Sequence, residues 1–420
     1  MSAPLQVSPS GCNAAIFSFF SGAGFLDLGF EKSGFDVALV NEIHPPFVQA
    51  YRYARQQMGM PDPEFGYVVD GIDTLLTPEG VEMLRQEMAV LLARGVHPGF
   101  IGGPPCPDFS VAGKNKGSEG DNGRLSKSYV DLICQTQPSF FLFENVKGLW
   151  RTARHRAFFD ELKAQLQQAG YLLTNRLINA IEYGAPQDRD RIILVGIHKN
   201  ALQGSNVTQE NIETQFPWEA ALRFPRRSAF EQYEWPSTEG SAKWEAPEKH
   251  PTELTVEYWF KKNKVSQHPN GHDYFQPRAG LEKFQTVQEG DVSKKSYKRL
   301  HRQRYSPTAA YGNNEVHIHP TEARRISVAE ALAIQSLPAE YCLPPSMSLT
   351  NKFKTVGNGV PFLAAQGLAQ SMAAFIREHL REIDRQQPCE SHQSATETTV
   401  VRIHQRPLWD EGSLRQRRLA

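Results

Sequence analysis

The sequence lacks the cysteine pattern of a disulfide- or zinc-stabilised protein. Its five cysteines are an odd number, are widely spaced and include no Cys-x-x-Cys pair, which argues against a disulfide framework and a structural zinc site. No apolar run approaches the roughly 18 residues that a membrane span needs. Residues 1–12 contain neither a basic residue nor an apolar core, unlike a signal peptide. We therefore expect a cytoplasmic protein with no membrane contact and no bound metal.

The chain also lacks a net charge, with 46 Lys and Arg against 46 Asp and Glu. Overall charge therefore gives no sign of a nucleic-acid partner. The distribution is uneven, because residues 261–304 contain eleven Lys and Arg but four Asp and Glu, a local excess of +7. Such a patch is typical of a surface that binds phosphates, although a solvated stretch without a ligand explains the charge equally well.

Short apolar strands alternate with helices over the first 200 residues. The apolar runs predict strands at 15–20, 37–40, 100–103, 140–143 and 192–197. Helical spacing of apolar residues predicts helices at 78–94 and 158–166, each followed by a glycine that ends it. This alternation predicts an α/β fold with a doubly wound, mostly parallel, Rossmann-like sheet.

The pattern changes near residue 199. From there to about residue 305 the chain is polar, rich in Pro, Trp, Lys and Gln, and without a long periodic element. Regular structure returns at Ser327, where Ser-Val-Ala-Glu forms a capping box, and a further helix follows Pro361. We predict a first domain over 1–198, a smaller irregular domain over 199–300, a return segment over 301–380 that completes the first domain, and a disordered tail over 381–420.

A glycine-rich turn, Phe20-Ser21-Gly22-Ala23-Gly24, lies between the first strand and a helix. Its glycines allow a tight turn and a close approach of the backbone to a ligand. The second strand ends at Glu42, and an acid at this point of a nucleotide-binding sheet binds ribose hydroxyls. The ligand could be any cofactor that contains adenosine. Gly29 lies five residues after Gly24 rather than three, which favours a methyl donor over NAD.

A cysteine follows a later strand. In Gly-Gly-Pro-Pro-Cys, residues 102–106, Cys106 lies just past the strand's carboxyl end, where open α/β sheets bind ligands. A lone cysteine is more often a buried structural residue. Here Pro105 and Pro107 restrict the backbone on both sides of the sulfur. The glycine-rich stretch 111–127 comes next, and we expect a long functional loop there.

Two charged motifs complete the pattern. Glu144-Asn145-Val146 stands at the end of a strand, so a carboxylate at residue 144 would lie beside Cys106 at the same edge of the sheet. Gln-Asp-Arg-Asp-Arg, residues 187–191, precedes another strand. Either motif taken alone could be an ordinary set of surface charges.

Taken together, the motifs resemble those of the DNA (cytosine-5) methyltransferase family, and they occur in the family's order. The shared motifs are Gly-Ala-Gly (22–24), Pro-Pro-Cys-x-x-Phe-Ser (104–110), Glu-Asn-Val (144–146), Gln-x-Arg-x-Arg (187–191), Arg-Ile-Ser-Val-Ala-Glu-Ala (325–331) with Leu-Pro (337–338), and Val-Gly-Asn-Gly-Val-Pro (356–361). The resemblance covers about residues 14–198 and 300–380. The variable stretch 199–300 falls where this family keeps its target-recognition domain.

The resemblance implies methylation of cytosine carbon 5 within a specific sequence of double-stranded DNA, with S-adenosylmethionine as methyl donor. Cys106 would add to carbon 6 of the base as a thiolate. Glu144 would bond ring nitrogen 3 and the exocyclic amine, while Arg189 and Arg191 would bond the ring carbonyl and help hold the carboxylate. The base must first be flipped out of the duplex, and the 111–127 loop is the candidate to close over it.

The resemblance also implies a cofactor pocket. Phe20 and the 21–24 turn would cradle the methyl donor, with Glu42 on its ribose. The remaining lining would come from Pro105, Leu125, Asn358 and Val360. An acid on the adenine amine is expected at Asp70 or Asp73, with Asp70 the first choice and Ile72 a backbone contact.

One residue departs from the family pattern. Pro107 stands where the family usually has Gln, which removes a backbone donor beside the sulfur. Gly359 stands where a small residue is usual, which is compatible.

Other functions remain as alternatives. An RNA cytosine-5 methyltransferase would share most of these motifs, but the long 199–300 insert favours DNA, because reading base edges in a groove needs a dedicated module. An inactive DNA-binding homologue is disfavoured because Cys106, Glu144, Arg189 and Arg191 occur together. The glycine spacing and the Pro-Pro-Cys motif disfavour an NAD-dependent oxidoreductase.

The implied partners follow from action on DNA. We expect a nucleoid-associated monomer that acts on duplex DNA, with a companion restriction endonuclease as a further partner. Cations of the 261–304 segment are expected to contact phosphates, while other side chains of the 199–300 region read bases.

Overall fold

A seven-stranded sheet forms the centre of the molecule, with the order β3-β2-β1-β4-β5-β8-β6. The computed structural model describes residues 12–105, 121–224, 228–238, 244–277, 280–294, 296–309, 311 and 316–383. Neighbouring strands of the sheet are parallel except for β8, which runs antiparallel to both β5 and β6. The predicted α/β class with a doubly wound, mostly parallel sheet is confirmed.

The strands and helices have the following bounds. The strands are β1 (Ala14–Phe19), β2 (Asp36–Asn41), β3 (Tyr67–Val68), β4 (His97–Gly102), β5 (Phe140–Val146), β6 (Tyr171–Asn179), β7 (Gln187–Asp188), β8 (Asp190–His198), β9 (Lys298–Arg299), β10 (Ser306–Pro307) and β11 (His317–Ile318). The helices are α1 (Phe25–Glu31), α2 (Pro45–Gln57), α3 (Pro78–Ala93), α4 (Asp121–Thr136), α5 (Ala153–Gln168), α6 (Ile212–Gln215), α7 (Ser228–Glu231), α8 (Val256–Lys262), α9 (Leu281–Thr286), α10 (Val328–Ile334), α11 (Leu349–Asn358) and α12 (Phe362–His379).

Alternate residues of each central strand face opposite sides of the sheet. On β1, Ile16 packs in the cluster that contains α1 and α12, whereas Phe17 and Phe19 pack in the cluster that contains α3, α4 and α5. The strands are buried on both faces, which explains why each is a continuous apolar run in the sequence. Helix α12 comes from the far end of the described chain, so the 301–380 segment supplies part of the core around the central sheet.

Gly29 allows α1 and α12 to cross closely. A Cβ atom on Gly29 would lie 2.6 Å from the backbone of Ala365, nearer than packed atoms can approach. The glycine that seemed misplaced for a dinucleotide fingerprint therefore serves helix packing, and its spacing says nothing about the cofactor.

The predicted boundary at residue 198 does not coincide with a break in packing. Phe216 and Trp218 are buried in the same cluster as α12, and the Trp218 indole donates to the hydroxyl of Thr174 on β6 at 3.0 Å. Farther along, Asn263 donates to the carbonyl of Leu337 at 2.9 Å. Two smaller clusters are separate from the large ones. Phe224 and Leu254 belong to the first, and Phe284 and Ile318 belong to the second.

Part of the predicted 111–127 loop is helical. Helix α4 begins at Asp121, so residues 121–127 belong to a helix rather than a loop. The glycines of this stretch concealed the start of the helix, because glycine disfavours helical structure in sequence-based reasoning. Residues 111–120 lie outside the described part of the chain, as does most of the predicted 381–420 tail.

The 349–379 segment is apolar and long enough, by composition, to cross a membrane. Its most apolar window is 72% buried inside the protein, and α11 and α12 are separate helices joined through Gly359 and Pro361. We therefore interpret the segment as two core helices.

Candidate active site

One edge of the sheet collects most of the residues predicted to be functional. The turn after β1, Glu42 after β2, Gly103 after β4 and Glu144 on β5 all lie toward the carboxyl ends of parallel strands. Strand β8 runs the opposite way, so its first residues, including Arg191, lie at the same edge. The strand order reverses between β1 and β4, and open α/β sheets bind ligands at such a point.

Glu144 is held by an ion pair. Oε1 of Glu144 lies 2.5 Å from Nε of Arg191, and both side chains are largely buried. Its other oxygen faces the Gly103 backbone so closely that a Cβ on Gly103 would come within 2.6 Å of it. The carboxylate therefore stands against the Gly-Gly-Pro-Pro stretch that leads to Cys106. Cys106 itself lies outside the described residues, while Pro105, the last residue before it, is exposed.

Arg189 has a different environment from Arg191. Its Nη1 and Nη2 groups donate to the carbonyls of Ala309 and Gly357, each at 2.9 Å, and the side chain is buried. Burial lowers the pKa of Arg189, and the neighbouring Arg191 lowers it further. With both terminal nitrogens bonded to backbone, Arg189 joins the 309 and 357 segments to the sheet edge, which does not support the predicted contact with a base.

The glycine-rich turn has the left-handed backbone that its sequence predicts. Gly22 and Gly24 have φ values of 59° and 79°, and Phe20 also adopts a positive φ of 54°. Glu42 fixes the turn, since its Oε2 accepts a hydrogen bond from the Gly22 amide at 2.9 Å and its Oε1 accepts one from the His44 amide at 2.8 Å. Glu42 is thus brought together with the turn, as expected for an acid that faces the same ligand.

A buried polar network that the sequence did not reveal lies beneath this turn. The Tyr341 hydroxyl donates to the carbonyl of Ala23 at 2.6 Å, and Nη2 of Arg55 lies 3.3 Å from the carbonyl of Gly24. Arg55 also pairs with Glu31 at 2.6 Å and lies over the ring of Tyr51, 3.5 Å from its centroid. A Cβ on Gly24 would collide with the Tyr51 ring, which explains the glycine.

The two candidate acids for adenine differ in their partners. Asp73 accepts hydrogen bonds from Arg124 at 2.5 Å and Ser128 at 3.0 Å, and the bond from Arg124 lowers the pKa of its carboxyl. The exposed Asp70 carboxylate accepts one bond, from the amide of Gly71. Ile72 is buried. The Asn41 amide donates to the carbonyl of Asp70 at 2.8 Å and so shapes this loop.

The remaining predicted lining residues differ in exposure. Leu125 on α4 is half-buried and packs in the cluster that Phe20 borders, whereas Asn358 at the end of α11 is exposed and Val360 is buried. Gln335 supports this last turn by donating to the carbonyl of Val356 at 2.5 Å. A Cβ on Gly359 would lie 2.1 Å from the ring of Phe25, so only glycine fits there.

The cations of the 261–304 segment do not all face solvent. Arg299 is buried, and its guanidinium donates to the carbonyls of Phe284, Val287, His319 and Glu322. Arg302 pairs with Glu289 at 3.0 Å. Lys294 is exposed. Fewer charges therefore remain for a ligand than the sequence excess suggests.

Comparison with known proteins agrees with this geometry. The family model for C-5 cytosine-specific DNA methylases matches residues 14–374. The chain belongs to this family. The expected DNA (cytosine-5) methyltransferase is therefore confirmed at the level of the family and its activity.

Several relatives share most of the chain's length. The chain is 57% identical over 392 residues to the type II methyltransferase M.NmeDI of Neisseria meningitidis serogroup C, covering 90% of both chains. It is 26% identical over 377 residues to M.MthTI of Methanothermobacter thermautotrophicus, covering 86% of this chain and 97% of that one.

Solved structures support the fold. A DNA modification methyltransferase encoded within an E. coli prophage has a TM-score of 0.58 and 19% identity, covering 87% of this chain and all of that one. The S. pombe Dnmt2 methyltransferase has a TM-score of 0.52 and 10% identity, covering 87% and 98%.

Proposed function

We propose that this chain methylates carbon 5 of cytosine in a specific sequence of duplex DNA, with S-adenosylmethionine as the methyl donor and Cys106 as the nucleophile. The observation that carries the proposal is the Glu144–Arg191 ion pair, at 2.5 Å, held against the Gly-Gly-Pro-Pro stretch that leads to Cys106. A buried carboxylate beside a nucleophile at a sheet edge is suited to a ring that gains a proton during reaction.

The residue types match the reaction. The Cys106 thiolate adds to carbon 6, which makes carbon 5 electron-rich enough to accept a methyl group. Glu144 bonds nitrogen 3 and the exocyclic amine, and Arg191 holds Glu144 and faces the ring carbonyl. After methyl transfer the carbon 5 proton is lost to water, its bonding electrons reform the carbon 5–carbon 6 double bond, and the carbon 6–sulfur bond breaks to release the Cys106 thiolate. Arg189 acts as a positioning residue, through its bonds to the 309 and 357 backbone.

The residues around the glycine-rich turn fit S-adenosylmethionine, which supplies a methyl group on a sulfonium. Glu42 would bind its ribose and Asp70, whose carboxylate is the less occupied of the two candidates, its adenine amine. The hydroxyls of Ser21 and Thr355 are buried and have no hydrogen-bond partner among the described residues. A Cβ on Gly22 would lie 3.8 Å from the Thr355 hydroxyl, so these two groups flank the same turn and suit a polar ligand.

The DNA must present the base outside the helix, since its reacting atoms are inaccessible within the stack. Recognition would be carried out by side chains of the 199–300 region, which supplies most of the small cluster around Leu254 and the Phe284 side chain of a second one. We also propose that the enzyme protects DNA against a companion restriction endonuclease, in keeping with its similarity to type II methyltransferases, and that it acts as a monomer in the cytoplasm, at the nucleoid.

Transfer of labelled methyl groups tests the proposal. Purified protein and labelled S-adenosylmethionine should label mixed-sequence duplex DNA, and the label should be recovered as 5-methylcytosine. Transfer RNA should remain unlabelled, whereas labelling of RNA alone would replace the proposal by the RNA methyltransferase alternative. Exchange of residues 199–300 for those of a related enzyme should change the methylated sequence. An active chimera that keeps the original sequence would place recognition outside residues 199–300.

A further inference from the structure

A run of exposed cations follows the β5 strand. Residues 147–156 are Lys-Gly-Leu-Trp-Arg-Thr-Ala-Arg-His-Arg and contain no acidic residue, in a chain whose net charge is zero. The side chains of Lys147, Arg151, Arg154 and Arg156 are exposed. These four residues, called here the 147–156 surface, form a local concentration of positive charge.

The 147–156 surface lies at the edge of the sheet that holds Glu144. Strand β5 ends at Val146, a 3-10 turn covers Lys147–Trp150, and α5 begins at Ala153 and runs back along the sheet. Nζ of Lys147 lies 2.8 Å from Oδ2 of Asp190, the residue that precedes Arg191. The surface therefore adjoins the Glu144–Arg191 pair directly.

The backbone beneath the surface is fixed. Leu149 is fully buried, and Trp150 packs against the core. Nδ1 of His155 lies 3.0 Å from the carbonyl of Gly148, and the Thr152 hydroxyl accepts a hydrogen bond from the His155 amide at 3.2 Å. The cations thus project from a preorganised segment, which lowers the ordering cost of binding.

The cations of the 147–156 surface differ in their partners within the protein. Lys147 pairs with Asp190, and Arg156 donates to the backbone carbonyl of Trp150, a group that carries no charge. The Arg151 side chain makes no hydrogen bond or ion pair with any residue that the structure describes, in contrast to Arg299 and Arg302. Arg154 and Arg156 stand in the first turn of α5, which has no acidic residue, and cations there oppose the helix dipole. A local conflict of this kind, beside a reactive site, is typical of residues kept for binding.

We propose that the 147–156 surface binds the phosphates that flank the target cytosine in duplex DNA. This inference rests on the proposed function, because it takes the base to lie against Glu144. Phosphates next to a flipped nucleotide must be held while the base is withdrawn from the stack. Contacts to phosphates set register and affinity without reading sequence.

The test compares Arg151→Gln/Arg156→Gln with a matched control, Lys32→Gln/Lys199→Gln. Lys32 and Lys199 are exposed and follow α1 and β8 at the opposite edge of the sheet. Binding of a labelled mixed-sequence duplex is measured over a range of salt concentrations. The Arg151→Gln/Arg156→Gln variant should bind more weakly, and its slope of log affinity against log salt should fall by about 0.9 for each phosphate that the variant no longer neutralises. The control slope should equal that of wild type.

Arg151→Lys/Arg156→Lys keeps both charges and should keep most of the wild-type slope. S-adenosylmethionine affinity should be unchanged in all three variants, and the melting temperature should not fall in any of them. If wild type methylates duplex DNA but the glutamine variant keeps the wild-type slope, this inference is overturned and the proposed function stands. If wild type methylates no duplex DNA, the proposed function fails and this inference fails with it.

Discussion

Arg191 and Glu144 contact each other diagonally across two antiparallel strands. Arg191 is paired with Val146, two residues beyond Glu144, so the two charged side chains share one face of the sheet. Their exposed fractions are 14% and 11%, and Nε to Oε1 is 2.5 Å. A carboxylate and a guanidinium buried in contact are fixed before any substrate arrives, which is the preorganisation that an electrostatic contribution to catalysis requires.

Removing either member of this pair should slow the chemical step. Glu144→Gln is expected to lower single-turnover methyl transfer by roughly 10²-fold or more, with little change in cofactor affinity. Arg191→Gln should have a comparable effect because it leaves a buried carboxylate unpaired. The double variant should lose less than the product of the two factors, since both act through one interaction.

A suitable control for the pair is Arg94→Gln, which breaks the exposed ion pair with Glu64 at 2.6 Å and should leave the rate unchanged. A Glu144→Gln enzyme with a near-normal rate but weak cofactor binding would show that Glu144, and not Glu42, serves the cofactor.

Tyr341 should set cofactor affinity without entering the chemistry. Tyr341→Phe removes the hydrogen bond to the Ala23 carbonyl, and a loss of about 1 kcal/mol corresponds to roughly fivefold weaker S-adenosylmethionine binding in calorimetry. Turnover at saturating cofactor should stay close to wild type. Tyr171→Phe is the matched control, because this buried hydroxyl donates to the carbonyl of Pro138 at 2.8 Å, far from the turn. If both variants lose the same amount of S-adenosylmethionine affinity, Tyr341 acts only by stabilising the fold and has no specific role at the turn.

The sequence predicted the central strands because each is a short apolar run bounded by turn residues. It also placed Glu42 at the end of the second strand as a candidate ligand for ribose, and the structure brings this residue against the glycine-rich turn. The buried network under the turn could not be predicted. Arg55 is 31 residues from Gly24, and Tyr341 is 318 residues from Ala23, so no local pattern joins them. A weak signal existed in α2, where Tyr51 and Arg55 occupy one helical face among buried apolar residues.

The excess positive charge of the 261–304 segment overstated the number of cations that face solvent, because contacts between residues far apart in sequence again could not be predicted. A count of charges cannot distinguish a cation that bonds backbone carbonyls from one that faces solvent. Arg189 was assigned to the base because of its place in a motif, yet its orientation toward residues 309 and 357 depends on segments more than 100 positions away.

Removing the charge of Arg299 should therefore affect the stability of the fold, whereas removing the charge of Lys294 should affect DNA binding. Arg299→Gln leaves buried carbonyls without donors and should lower the midpoint of chemical unfolding, at about 1–3 kcal/mol for each polar group left unsatisfied. Lys294→Gln should leave stability unchanged and reduce the salt dependence of DNA binding. Both variants are tested by chemical unfolding and by DNA binding at several salt concentrations. An Arg299→Gln variant with wild-type stability and a reduced salt dependence would show that Arg299 binds DNA rather than stabilising the fold.

Glu87 on α3 gives the fold a dependence on pH. Burial, with repulsion from Glu64, raises the pKa of its carboxyl from the ordinary 4.5 to about 8. A carboxyl whose pKa is raised on folding stabilises the fold fully below about pH 4.5, and this contribution is lost as the pH rises through about 8. Glu87→Gln should therefore match wild type in unfolding experiments near pH 4.5 and become progressively the more stable protein up to about pH 8. Glu82→Gln, an exposed position on the same helix, should show no such trend. A stability difference between Glu87→Gln and wild type that stays constant with pH would contradict the raised pKa of the half-buried Glu87 carboxyl.

The most direct test of the account is bisulfite sequencing of plasmid DNA from cells without cytosine methylation of their own that express either wild type or Cys106→Ala. Wild type should leave cytosines protected at one recurring sequence, whereas Cys106→Ala, present at the same level, should leave none protected, because the thiolate is needed in the chemical step. An unprotected plasmid with wild type, or more than about one per cent of wild-type protection with Cys106→Ala, would contradict the account.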